Sequence, residues 1–246
     1  MPADLDAKPA GREKCGPNVS DQSDARVRLR EAILRGTYAP RQRLIEAELA
    51  EEYGASRFTV RNALLSLAAD GLVEIQPNRG ARVREISVDE AIEITEVRRS
   101  VEGLVAARAA ANITDQSARE LTALGEEMTA AVQNGELPRY SDLNATLHAR
   151  LRDLSQHATA TRIIEQLNGQ MVRHQFHLAL LPGRPSVSLP EHLAIIGAVC
   201  AGDAPGAERA MMIHIESVAA TLGALDDRAR MPTWSIGSGR RAPSAD

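Results

Sequence analysis

Arg57 and Arg61 stand four residues apart in the stretch SRFTVRNALLSLAADG, a spacing that puts two guanidinium groups on one side of a helix. Such a pair can fork onto guanine edges or phosphate oxygens, or it can simply solvate a helix face. Ser56, just ahead, is an N-cap type that can satisfy a first-turn N–H and also touch a phosphate, which the positive helix end helps to hold. Arg79 and Gly80 close a PNRG turn, where glycine lets backbone approach a minor groove and arginine can enter it; a plain hairpin turn is the alternative. Arg43 lies ahead of a second helix pattern, with phosphate and solvent both open to it. The other reactive group is the six histidines, His148, His157, His174, His177, His192 and His214. Asn144 and His148 share a helical face at i, i+4, an amide oxygen beside an imidazole, although a lone histidine on an apolar helix is more often a satisfied core or surface residue. Arg98 precedes Glu102 by four, the spacing of an intrahelical ion pair. No HExxH pattern, nucleophile elbow or glycine-rich phosphate loop accompanies these residues, so a metal-dependent hydrolase or isomerase lacks its positioned acid or base.

The elements that must position these groups follow from composition and period. A chain of 246 residues suits two domains, and 43% apolar with 25% charged residues excludes wholesale disorder. Aromatics at 2% exclude a base-stacking surface and leave aliphatic side chains to fill packed helices. Over 25–86, ARVRLREAILRG reads as a helix with Val27, Leu29, Ile33 and Leu34 inward, IEAELAEEYG as a second, and SRFTVRNALLSLAADG as a third. LVEIQ and ARVREI alternate around PNRG as a two-stranded hairpin. Eleven arginines against eight acids leave this segment +3, so with −4 over the whole chain the remainder carries −7. Over 87–226 six helix patterns follow, with Ser87, Thr114 and Ser188 as caps. The expected fold is mainly α: an N-terminal winged helix-turn-helix (25–86), then an all-α antiparallel helical bundle (87–226), between tails at 1–24 and 227–246. Cys15 and Cys200 imply no disulfide, and no apolar run suits secretion or a membrane span, which predicts a cytoplasmic protein with no membrane partner.

SRFTVRNALLSLAADGLVEIQPNRGARV resembles the signature of GntR-type transcription regulators, and EVRRSVEGLVAARAA, NATLHARL, PEHLAII and GDAPGAERAMMIHI resemble the FCD type of effector domain. The resemblance implies a homodimer that reads a short palindrome on double-stranded DNA as a repressor, tuned by a small carboxylate effector. It assigns Arg43, Ser56, Arg57, Thr59, Arg61, Arg79 and Gly80 to DNA, with Phe58 and Thr59 where Thr and Pro are common and Asn62 where an acid is common. It also places His148, His192 and His214 at metal-ligand positions, with Asn144 where Asp is usual, implying a divalent ion, Zn, Ni or Mn. Arg98 falls where the family turns an arginine into the effector pocket, with Arg99 competing for that role; His174 and His177 match no ligand position, leaving pocket lining or surface. A sequence-indifferent architectural binder, its helical part serving only dimerisation, is the alternative that a high specificity ratio excludes.

Overall fold

A computed structural model describes residues 19–76, 79–179 and 181–230, and the chain divides between Glu85 and Ile86 into two compact units. In the first, α1 (Val19–Leu34) buries Ala25 and Leu29 with Ile33 beside them, a stripe of steps of four. Val27, expected inward, is 50% exposed because it stands two residues from Leu29, across the helix. The helix begins at Val19, inside the expected tail of 1–24; the rest of that tail lies outside the described residues. α2 (Glu46–Tyr53) stops at Gly54, whose left-handed φ of 63° suits glycine, and α3 (Arg57–Ala69) starts three residues later behind Ser56.

Two further strands, β2 (Val73–Gln76) and β3 (Gly80–Val83), form the hairpin, with Val73 opposite Val83 and Gln76 opposite Gly80. The sheet has three strands rather than the expected two, because β1 (Arg43–Leu44) pairs antiparallel with the far edge of β3. Two residues are too few for alternation to betray a strand. Leu44, Val73, Ala81 and Val83 face Leu29, Leu49, Leu64 and Leu67 in one core. Each such leucine contributes about 2 kcal/mol on burial.

Among its described residues the second unit is all helix apart from its turns: α4 (Val88–Ala111), α5 (Asp115–Gln133), α6 (Leu137–Ser155), α7 (Ala158–Ala179), α8 (Arg184–Cys200) and α9 (Ala204–Arg230). Ser87 caps α4 by accepting from Glu90 N–H, and Thr114 and Ser117 cap α5 reciprocally. α4 lies against α9 where Gly103 admits Met212, whose Cγ a Cβ on Gly103 would meet at 3.0 Å. Leu121, Met128, Leu147, Leu151, Ile164, Ile195, Met211 and Ile215 fill the centre. Ser188, expected to cap α8, sits inside it, since the helix starts at Arg184 with Pro185 in its first turn, where a missing N–H costs nothing. The Ser188 hydroxyl donates instead to the Arg184 carbonyl. α9 continues to Arg230, past the expected boundary at 226, and 231–246 lie outside the described residues. No helix among the described residues is long and apolar enough to cross a membrane.

Candidate functional site

Each unit carries a concave site lined by residues that the sequence singled out. In the first, Arg43, Arg57, Arg61 and Arg79 line a cleft of about 470 Å³ between α3 and the hairpin, with Glu46 as the one acidic residue among its described lining residues. Ser56 Oγ accepts from Thr59 N–H at 3.0 Å, so the first turn of α3 is held and Arg57 projects from it, exposed. Thr59, expected to touch DNA, is 2% exposed and spends its hydroxyl on Ser56 Oγ at 2.9 Å; it serves the cap. Arg61 is held in a two-point pair by Glu46, Nε to Oε1 at 2.9 Å and Nη2 to Oε2 at 2.8 Å. That hydrogen-bonded pair holds the Glu46 carboxyl below its usual range. Arg43 Nε donates to the Arg79 carbonyl at 3.0 Å, tying β1 to the tip of the hairpin. Gly80 has φ +82°, and a Cβ there would meet the Leu44 carbonyl oxygen at 3.0 Å, so any side chain at this position is strained. Sequence reasoning missed that Leu65 and Ile75 complete the lining while 51% and 45% exposed, apolar surface of the kind that meets a thymine methyl.

In the second unit, α6, α8 and α9 bring Asn144, His148, His192 and His214 to one cavity of about 450 Å³. One ring nitrogen from each imidazole lies within 4.8 Å of those from the other two. His148 Nδ1 is 3.1 Å from Glu102 Oε2 on α4, and His214 Nδ1 is 2.8 Å from Glu191 Oε2 on α8. His192 Nδ1 is 3.0 Å from Tyr140 Oη, which is 2.7 Å from Ser188 Oγ. The direction of the last chain follows from proton counting. The single Ser188 proton goes to the Arg184 carbonyl at 3.1 Å. Ser188 Oγ therefore accepts from Tyr140, and Tyr140 accepts from His192 Nδ1–H. That leaves His192 Nε2 as a bare lone pair, buried without a partner, as is Asn144 Oδ1. The opposite tautomer would bury an unanswered N–H, at a cost of about 1–3 kcal/mol.

Electrostatics disfavour the charged forms of His192 and His214. Burial pushes His192 well down, and the neighbouring His214, His148 and Arg184 add to that; burial also lowers His214, against the pull of Glu191. Burial favours the neutral form of Glu102, but the Arg98 guanidinium and the bond to His148 outweigh it and hold its carboxyl far below the usual range. Burial likewise opposes the ionised form of Glu191, and His214, Ser217 and Arg184 override it. Three imidazoles anchored through Nδ1, with an orphaned amide oxygen, form a donor set that fits a divalent transition ion. Such an ion would be a Lewis-acid position for a carboxylate or water.

Arg98 lines this cavity, with Nε at 2.8 Å and Nη2 at 2.7 Å from Glu102 Oε1, whereas Arg99 lies outside the described lining and reaches Glu216 only at 3.9 Å. His174, expected as pocket lining, donates Nε2–H to the Ile86 carbonyl at 3.0 Å and is not among the described lining residues. Its ring is committed to holding the start of the unit. The His177 side chain lies outside the described residues. His157 caps α7, its Nδ1 accepting from Ala160 N–H. Glu102 was expected only as the ion-pair partner of Arg98, which it is, and its hold on His148 was missed; so were Tyr140, Glu191, Arg152 and Arg184, although steps of four run through Tyr140, Asn144, His148 and Arg152 on α6 and through Arg184, Ser188 and His192 on α8.

A winged helix with an arginine-lined cleft, followed by a helical unit with a polar cavity, is the architecture of a DNA-binding regulator with a separate helical domain. Residues 22–83 match the bacterial regulatory proteins of the gntR family and residues 93–217 match the FCD domain, so the chain belongs to the GntR family and carries an FCD domain. It is 30% identical over 190 residues to the HTH-type transcriptional repressor RspR of Escherichia coli K12, covering 77% of this chain and 83% of that protein. With the HTH-type transcriptional regulator LutR of Bacillus subtilis 168 it shares 28% identity over 207 residues, 76% of this chain and 94% of the other. The solved structure of E. coli McbR/YncC superposes with a TM-score of 0.67 at 25% identity, covering 85% of this chain and 100% of that one. The protein is a DNA-binding transcription regulator and not an enzyme.

Proposed function

We propose that the protein is a homodimeric repressor that binds a palindromic operator on double-stranded DNA and releases it when a small carboxylate enters the helical unit. The carboxylate is received by a divalent ion, Zn, Ni or Mn, held by Asn144, His148, His192 and His214. The observation that carries this reading is the pair of buried, unpartnered lone pairs on His192 Nε2 and Asn144 Oδ1, in a cavity where every imidazole is anchored through its other nitrogen. The ion, when bound, supplies an electrophilic position for a carboxylate oxygen. The chain does the rest. Glu102, Glu191 and Tyr140 orient the rings, and Arg98 keeps N–H donors beyond the two that Glu102 takes.

On the DNA side, Arg43, Arg57 and Arg79 meet phosphates or the minor groove and Arg61 reads a base edge. Ser56 holds the first turn of α3, and Gly80 lets the hairpin backbone come close. Effector and operator need only about 1–3 kcal/mol of coupling for a working switch.

The test pairs metal analysis with operator binding. Native protein dialysed after loading should keep about one ion per chain, and His192→Ala should lose it while keeping a native helical circular-dichroism spectrum. Small carboxylates should weaken operator binding, followed by fluorescence anisotropy, for the native protein only. A native chain that retains none of the three ions, or a variant that retains its ion, overturns the metal reading. If His192→Ala still answers to acids, the ion is structural and Arg98 holds the effector.

A further inference from the structure

Charge in the cavity of the second unit is unevenly answered. Its described lining residues include Arg98, Arg152 and Arg184 and no Asp or Glu. Glu102 stands behind Arg98 at 2.7 Å, and Glu191 stands behind Arg184 at 3.4 Å, so two of the three guanidinium groups are neutralised by carboxylates that also orient His148 and His214. Arg152 is different. It is half-buried, and among the described residues its guanidinium makes no hydrogen bond or ion pair. The donors proposed for the ion are three imidazole nitrogens and one amide oxygen, with no carboxylate or thiolate among them, so a bound dication would keep its full charge. Two unmatched centres then face one partly enclosed space, and uncompensated charge away from water is costly.

We infer that the effector carries two anionic groups, one received at the Asn144–His148–His192–His214 centre and the other seated on Arg152, which makes it a short dicarboxylate rather than a monocarboxylate. This rests on the metal reading above. Asn144, His148 and Arg152 follow one another at steps of four along α6. Arg152 is therefore one turn beyond His148, about 6 Å along the axis. A chain of roughly four to six carbons spans that separation between its carboxylates, given about 1.5 Å per bond. A monocarboxylate fills the first seat and leaves Arg152 unmatched. A diacid answers both, through the forked geometry that guanidinium offers a carboxylate.

The experiment is calorimetric titration of the full-length protein, zinc-loaded and zinc-free, with succinate, glutarate and adipate, each beside its own monoamide, which has the same length and one charge fewer. The native loaded protein should bind at least one diacid about tenfold or more tighter than its monoamide, the size of one charge-assisted bond. Arg152→Gln should abolish that preference while leaving zinc affinity unchanged, and Arg152→Lys should restore part of it. Arg150→Gln, which removes the same charge from the Glu120-paired face outside this cavity, should keep it. No preference for any diacid, or a preference that survives in Arg152→Gln, overturns the inference. A direct zinc titration separates the two readings. If zinc binds and no diacid is preferred, the metal reading stands and the second seat falls. If zinc does not bind and the preference depends on Arg152 in zinc-free protein, the seat stands and the metal reading falls.

Discussion

Replacing Glu46 by Gln separates the positioning of Arg61 from its charge. Glu46 grips Arg61 at two points, 2.9 and 2.8 Å, at the edge of a cleft lined by four arginines. Arg61 is 63% exposed and Glu46 24%, so solvent screens the pair and it adds little to stability. For DNA the consequences are larger and of opposite sign. Removing the carboxylate raises the balance of charged lining residues from +3 to +4, so random duplexes should bind more tightly, with a salt dependence steeper by up to about one unit. Arg61 also loses its fixed direction, and re-ordering a rotamer-rich side chain costs about 0.5–1.5 kcal/mol, or roughly 2–13-fold in operator affinity. The ratio of operator to random affinity, from anisotropy titrations at several salt concentrations, should therefore fall. The assay pH does not confound this. Folding lowers the Glu46 pKa, so what the pair adds is fully present above the unfolded carboxyl value and is lost only as pH falls through the lower folded one. A ratio that holds or rises in Glu46→Gln would refute the positioning argument.

Gly80→Ala should cost about 1–2 kcal/mol, from the left-handed backbone and the approach to the Leu44 carbonyl, and weaken operator binding while leaving metal binding intact; calorimetric unfolding and anisotropy check both. Tyr140→Phe removes the acceptor that fixes the His192 tautomer, so metal affinity, measured by competition with a chelator, should drop about 10–100-fold with the helical spectrum retained. Leu67→Ala empties a fully buried site in the first core, and denaturant titration should show a loss of about 2–5 kcal/mol from that unit.

Much of the fold is legible without tertiary information because helices here declare themselves twice, through stripes of period 3.6 and through caps. Ser56, Ser87 and Thr114 all cap where expected. Ser188 fails as a cap because Pro185 offered an earlier start, and a hydroxyl inside a helix can turn to the i−4 carbonyl. The two-residue β1 was hidden because it is too short for alternation to show, whereas Val27, two residues from Leu29, was set inward against the helical period itself.

The candidate sites divide in the same way. Arg57, Arg61, Arg79 and Gly80 on the DNA side, and Asn144 with His148 in the bundle, are set by spacing along one element, which sequence determines directly because helical and hairpin geometry repeat. Only the tertiary structure decided that Thr59 is buried, that Glu46 holds Arg61, and that His174 bonds a backbone carbonyl. It also decided which group orients each imidazole: Glu102 lies 46 residues from His148, Glu191 lies 23 from His214, and Tyr140 lies 52 from His192. A period encodes the face a residue occupies, whereas its partner depends on how two helices are rotated and set against each other. That setting is fixed by the packing of the whole core, Gly103 against Met212 and Leu147 among its neighbours, rather than by any one segment of the chain.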